Sequence, residues 1–221
     1  MNKYWKWCYN LKYNENGAKR KLRGLIKYER EYNIEDIILF NRYRLNSWDK
    51  TEKEIGIMSN LYSGCKIPYD GHVFHSSEQI LFYRKFKNWG KYLEDNDKAK
   101  EVINVVLNCK SGLEVKTNAL VKECDGIIDK NRSKELGYEN SMMEGWKNSY
   151  FCNRLKYRYC EEFRNVLEKY KDKYLVEDSH WGDYFAGALL DEKTGKYRGV
   201  NCCGRVIMRV RKEKDIIMGE S

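Results

Sequence analysis

Between Phe74 and Gly90 the chain reads FHSSEQILFYRKFKNWG, with apolar side chains at Leu81, Phe82, Phe86 and Trp89. That is a helical period, and it predicts one helix of about four turns. Ser76 and Gln79 have capping-box spacing at its start, and Gly90 is placed to close its end. Asn96–Leu107 repeats the pattern through Ala99, Val102, Ile103, Val106 and Leu107, and Ser111–Cys124 reads as a further helix punctuated by Asp125-Gly126. Residues 139–170 are predicted helical over much of their length. Met142, Met143, Trp146, Tyr150, Leu155, Phe163 and Leu167 form their buried side, and stripes at this spacing are core rather than cofactor sites. Leu25–Leu45 is expected to form one or two helices, with Ile34, Ile37, Ile38 and Phe40 in the core.

Elsewhere the periodicity breaks. Gly64 and the only proline, Pro68, make Ile55–Tyr69 extended or irregular, and Tyr69-Asp70-Gly71-His72 reads as a turn within a short β element. Asp191–Gly199 is a tight polar turn. Gly199-Val200-Asn201-Cys202-Cys203-Gly204 then opens into a last helix, where glycines and backbone N–H groups suit an anion. It is not a dinucleotide fingerprint, because the strand–helix–strand unit is absent. The expected fold is mainly α: a single compact helical domain over 51–214 with a few short β elements. A basic aromatic extension precedes it over 1–50, and a tail follows over 215–221.

Charge changes this picture in one respect. The net charge is +9, and residues 1–50 carry twelve Lys or Arg against six Asp or Glu, so most of the excess lies in that extension. Eighteen tyrosines add aromatic faces, and both features suit nucleic acid. No apolar run is long enough to span a membrane. The N-terminus MNKYWKWCYN lacks a signal-peptide core, so a cytoplasmic location with reduced thiols is expected. No C-x-x-C pair occurs, and Cys65, His72 and His75 do not make a zinc spacing. Neither metal nor cofactor is expected.

Candidate chemistry returns to the first helix. Glu78 and Lys85 lie on its apolar stripe, while Arg84 and Lys87 already supply a polar side. Seven residues make almost two turns, so both project the same way, about 10 Å apart along the axis. That separation suits two groups meeting on a small polar molecule. Glu78 also sits in the first turn, where the helix dipole favours a carboxylate. Near the chain's end, Glu177-Asp178-Ser179-His180-Trp181-Gly182-Asp183 gathers three carboxylates and a histidine around a Trp-Gly step.

Four motifs then fall in register. Ser59-Asn60-x-Tyr62, Ser77-Glu78-Gln79 with Lys85-Phe86, Asp178-x-x-Trp181-Gly182, and Gly199-x-Asn201-x-x-Gly204 ending in Met208-x-Val210-Arg211 resemble the NADAR (YbiA-like) family over about residues 55–212. The resemblance implies a mainly α-helical fold and cleavage of N-glycosidic bonds. The substrate it implies is either ADP-ribose on guanine of DNA or RNA, or a free ribosylamino-pyrimidine. It implies Glu78, Lys85 and Asp178 as catalytic residues. Ser59, Asn60, Trp181, Gly182, Asp183, Asn201 and Arg211 would shape the ligand site. Glu78 would stabilise positive charge at the anomeric carbon or activate water. Lys85 would bind a phosphate or ring oxygen, or attack an opened ribose as a Schiff base. Two departures stand out: Glu177 abuts Asp178, and the usual Gly-Arg is missing near Asp125-Gly126.

Overall fold

The computed structural model describes residues 30–40, 54–179 and 185–219, and it is mainly helical. Helix α1, Ser77–Trp89, starts where the sequence says it should. Ser76 is extended, and its Oγ accepts the Gln79 N–H at 3.2 Å. Gln79 Oε1 in turn accepts the His75 N–H at 2.8 Å. Gly90 does not close the helix. It is right-handed at φ −53°, and the chain continues into a 3-10 turn, Gly90–Leu93, that buries Leu93. The left-handed residue is Glu94, at φ 54°.

Helix α2, Asn96–Asn108, is capped by Asp95. The single helix expected over 111–124 is two, α3 (Gly112–Thr117) and α4 (Ala119–Leu136). Asn118 divides them because its backbone is extended, while its side chain accepts the N–H groups of Leu120 and Val121. Asp125-Gly126 interrupts nothing. Val121, Cys124 and Ile128 are fully buried around it, which outweighs the roughly 1 kcal/mol a helical glycine costs. Helices α5 (Tyr138–Tyr159) and α6 (Glu161–Lys169) meet at extended Cys160.

The described short strands form three small sheets. β1 (Arg30–Tyr32), β7 (Lys196–Gly199) and β6 (Ala188–Asp191) form an antiparallel sheet in that order. β2 (Ile37–Phe40) runs parallel to β5 (Tyr174–Glu177). β3 (Ile67–Tyr69) and β4 (His72–Phe74) form a hairpin whose turn residues Asp70 and Gly71 both have positive φ, as a two-residue turn of primed type requires. Helices α7 (Cys202–Lys212) and α8 (Lys214–Gly219) finish the described chain.

Three further sequence expectations need correction. Over 30–40 the chain forms strands joined by one 3-10 turn, not helix; Ile37 and Phe40 are buried, whereas Ile34 is exposed. Ile34, Ile37 and Ile38 have helical spacing, but in so short a run pairing with β5 overrides it. A boundary at residue 50 therefore does not divide the fold, since β1 and β2 belong to the sheets of the domain. Nor does 215–219 behave as a tail: it lies in α8, which buries Ile217.

The main core lies among α1, α2, α4, α5, α6 and α7, and Phe74, Phe86, Ile128 and Phe163 are fully buried in it. A smaller cluster of Tyr32, Ile37, Val176, Ala188 and Tyr197 packs between the sheets.

Candidate active site

Glu78 is held by the start of α1. Its backbone N–H donates to the Asn60 carbonyl at 3.0 Å, which joins the helix to the preceding loop. α3 packs against the same corner through Gly112. A Cβ there would stand 2.8 Å from Ser76 Oγ and 2.9 Å from Leu61 Cα, so only glycine allows the approach. One turn further along α3, Lys116 reaches across, its Nζ 3.4 Å from Glu78 Oε1. The carboxylate is nearly buried, with 11% of its side chain exposed.

These two residues border a cleft of about 180 Å³. Ser59, Asn60, Ser149 and Glu177 supply its other polar walls, and Leu81 and Phe185 supply apolar ones. Ser59 Oγ accepts the Leu61 N–H at 3.2 Å, and Asn60 Oδ1 accepts from Asn153 Nδ2 at 3.0 Å, so both are fixed in place. Beneath them, fully buried Lys156 donates to the carbonyls of Ile57 and Ser59 at 2.6 and 2.8 Å. Burial holds its amine down to about 8.

Strand alternation decides which carboxylate of the Glu177-Asp178 pair faces the cleft. Successive side chains on β5 point to opposite faces. Leu175 packs in the main core and Val176 in the smaller cluster, so Glu177 follows Leu175 toward the cleft. Asp178 follows Val176 to the other face, where its charge adds to the burial that pushes the Tyr197 phenol up to about 12. The Asp178 assigned from sequence thus does not line this cleft, and its neighbour does.

Asn201 and the surrounding glycines serve the backbone. Asn201 is fully buried and left-handed at φ 53°; its Oδ1 accepts the Glu177 N–H at 3.0 Å, and its Nδ2 donates to the Leu175 carbonyl at 2.9 Å. It clamps β5 to the start of α7 and so sets Glu177. A Cβ on Gly204 would stand 2.1 Å from the Leu175 carbonyl oxygen, which shows what that glycine admits. The anion site expected at the start of α7 is already filled by protein. The N–H groups of Cys202 and Cys203 donate to the carbonyls of Phe185 and Ala186, both at 2.9 Å.

Lys85 shares a stripe with Glu78 but goes elsewhere. Its Nζ contacts Asp125 and lies 2.7 Å from Asp129 Oδ1, both on α4, and Arg132 joins Asp129 at 3.0 Å. Burial raises the Asp125 carboxyl above the usual range; Lys85 opposes that shift, while Asp129 and Glu78 add to it. The ion cluster is therefore within electrostatic reach of Glu78, yet Lys85 itself does not border the cleft. Arg211 donates to the carbonyls of Tyr170 and Lys173 at 2.6 and 3.1 Å. It stands nine residues beyond Cys202 on α7, about 13 Å along the axis from the cleft wall. Trp181, Gly182 and Asp183 lie outside the described residues.

Sequence reasoning missed Lys116 and the role of Glu177. Alternation from apolar Leu175 was the available signal for Glu177; Lys116 had none, since only packing brings α3 to α1. Among the described residues no group of three or more His, Cys, Asp or Glu is placed to hold a metal ion. None of the described helices is long and apolar enough to cross a membrane. No protein-family model matches the chain, and no curated protein matches it.

Proposed function

We propose that this protein is an N-glycosidase of NADAR type that hydrolyses the bond between ADP-ribose and guanine in nucleic acid. The observation that carries the reading is the nearly buried Glu78 carboxylate, paired with Lys116 in the wall of a cleft that a second carboxylate, Glu177, also lines. Breaking an N-glycosidic bond builds positive charge on the anomeric carbon. Glu78 stabilises that charge or takes a proton from the attacking water, and Glu177 handles the proton of the departing base. Lys116 supplies a cation for phosphate. The Schiff-base role considered for Lys85 is set aside, because its amine is directed at α4 rather than at the cleft.

The cleft's size supports a substrate held mostly outside it. About 180 Å³ is below the roughly 300–1,000 Å³ of pockets that enclose a whole drug-sized ligand. It accepts the sugar at the scissile bond and leaves the rest of the substrate on the surface.

The test incubates the protein with a guanine-ADP-ribosylated oligonucleotide and, separately, with a free ribosylamino-pyrimidine, following sugar release. The expected result is release from the oligonucleotide that Glu78→Gln abolishes. Turnover of the free compound alone makes this a small-molecule glycosidase. Binding of ADP-ribose without turnover, unchanged in Glu78→Gln, makes it a binding module.

A further inference from the structure

Beside the cleft, α5 and α7 lay arginines against aromatic rings. Phe185, in the cleft wall, meets Trp146 edge-on with centroids 6.3 Å apart, and Arg205 stands over the same indole at 5.9 Å. One turn along both helices, Arg209 stacks over Tyr150 at 4.2 Å, and Arg154 approaches that ring at 5.6 Å. Glu213 accepts from both Arg209 and Tyr150 and fixes their orientation.

We infer that this strip binds the single-stranded nucleic acid flanking the nucleotide in the cleft. The inference rests on the reading above only for what enters the cleft. Trp146, Tyr150 and Arg154 follow one another at four-residue steps, so the strip runs about 12 Å along α5. At about 3.4 Å per stacked base, that is the length of about three nucleotides. Alternation of π faces with cations is the recurring composition of surfaces that hold single strands, because any base can stack and every nucleotide carries a phosphate. A guanidinium stacked on a ring is already ordered and presents a planar fork to phosphate oxygens. The strip carries three arginines against Glu213, and the rings are half-buried rather than forming an exposed apolar patch, which favours a polyanion over a lipid surface. Gly145 and Ser149 line the cleft from the adjacent face of α5, so strip and cleft are continuous.

The test titrates the full-length protein and its Arg205→Gln/Arg209→Gln variant against an unmodified fluorescent single-stranded oligonucleotide at several salt concentrations. The variant is expected to bind about tenfold more weakly at low salt, with a slope of log K against log salt shallower by about 1.4, two arginines at about 0.7 each. In unaltered protein, photo-cross-linking of a halogenated-uracil oligonucleotide is expected to mark Trp146 or Tyr150, whether or not the variant folds. Equal affinity and slope in the two proteins, with adducts elsewhere, overturns the inference. So does a preference for anionic phospholipid vesicles over the oligonucleotide. Neither readout needs ADP-ribose or turnover. A strip that binds in a protein that never hydrolyses leaves this inference standing and removes the glycosidase, and turnover without strip binding does the reverse.

Discussion

Lys116 and Glu78, 38 residues apart on two helices, meet with Nζ 3.4 Å from Oε1, although nothing in their local sequence pairs them. Lys85, on Glu78's own helix, pairs instead with Asp125 and Asp129. The proposed chemistry and the stability of the fold therefore separate onto two lysines, and substitution can tell them apart.

Glu78→Gln keeps the side chain's shape and removes its charge. Release of ADP-ribose from a modified oligonucleotide should fall about 10²–10⁴-fold in kcat, the range for loss of an acid–base group. The thermal midpoint should barely move. A variant with the full rate would exclude Glu78 as the working carboxylate.

Lys116→Met should act mainly through KM, since its proposed contact is to phosphate in ground and transition states alike. Its side chain is partly exposed, so the fold should tolerate the change. A fall in kcat at unchanged KM would place Lys116 at the reacting atoms instead.

Lys85→Met leaves Asp125 and Asp129 with less compensating charge. Stripping a buried pair of one partner costs about 3–5 kcal/mol; because half of the Asp129 side chain is exposed, about 2 kcal/mol is expected here. Denaturant unfolding measures it, and adding Asp125→Asn should recover part of the loss. If unfolding is unchanged while turnover disappears, Lys85 acts in catalysis after all.

Lys156 gives a pH signature. Burial lowers its amine from 10.5 to about 8, so between those values the unfolded chain binds more protons than the folded one. Stability from this group must rise as pH climbs from about 8 to about 10.5, and it is fully penalised below 8. The span is about 3 kcal/mol at about 1.4 per unit. Comparing unfolding of the protein with that of Lys156→Met across this window isolates it; parallel curves would mean the amine is not desolvated.

Asn201→Ala loses two hydrogen bonds to β5 and places alanine at positive φ. A cost of about 2–4 kcal/mol is expected from unpaired buried groups and backbone strain together. Asn201→Gly relieves the strain alone and should recover about 1 kcal/mol of it. A loss of affinity at unchanged stability would instead restore Asn201 as a ligand contact.

The long helices were legible because their apolar stripes run for three turns or more, too far for a strand period to imitate. Ser76 could be read as a cap for a related reason: a cap acts within four residues. Asn118 went unread, since it lies inside the stretch expected to be one helix. Residues 30–40 were misread because three isoleucines at helical spacing are too short a run to decide, and the partner strand of β2 lies more than 130 residues away. The glycine-rich step before α7 looked like a ligand cradle, yet Gly204 and Asn201 spend their freedom and polar atoms on β5.

By itself the sequence determined a mainly helical chain, the start of α1, and Glu78 as its buried first-turn carboxylate. Those properties follow from side chains within a turn or two of one another. Only the tertiary structure decided that Lys116 faces Glu78, that the cleft lies on the Leu175 and Glu177 face of β5, and that Lys85 belongs to α4. Each of these depends on how separate elements pack, through contacts such as Gly112 on Leu61 that have no local periodicity to announce them.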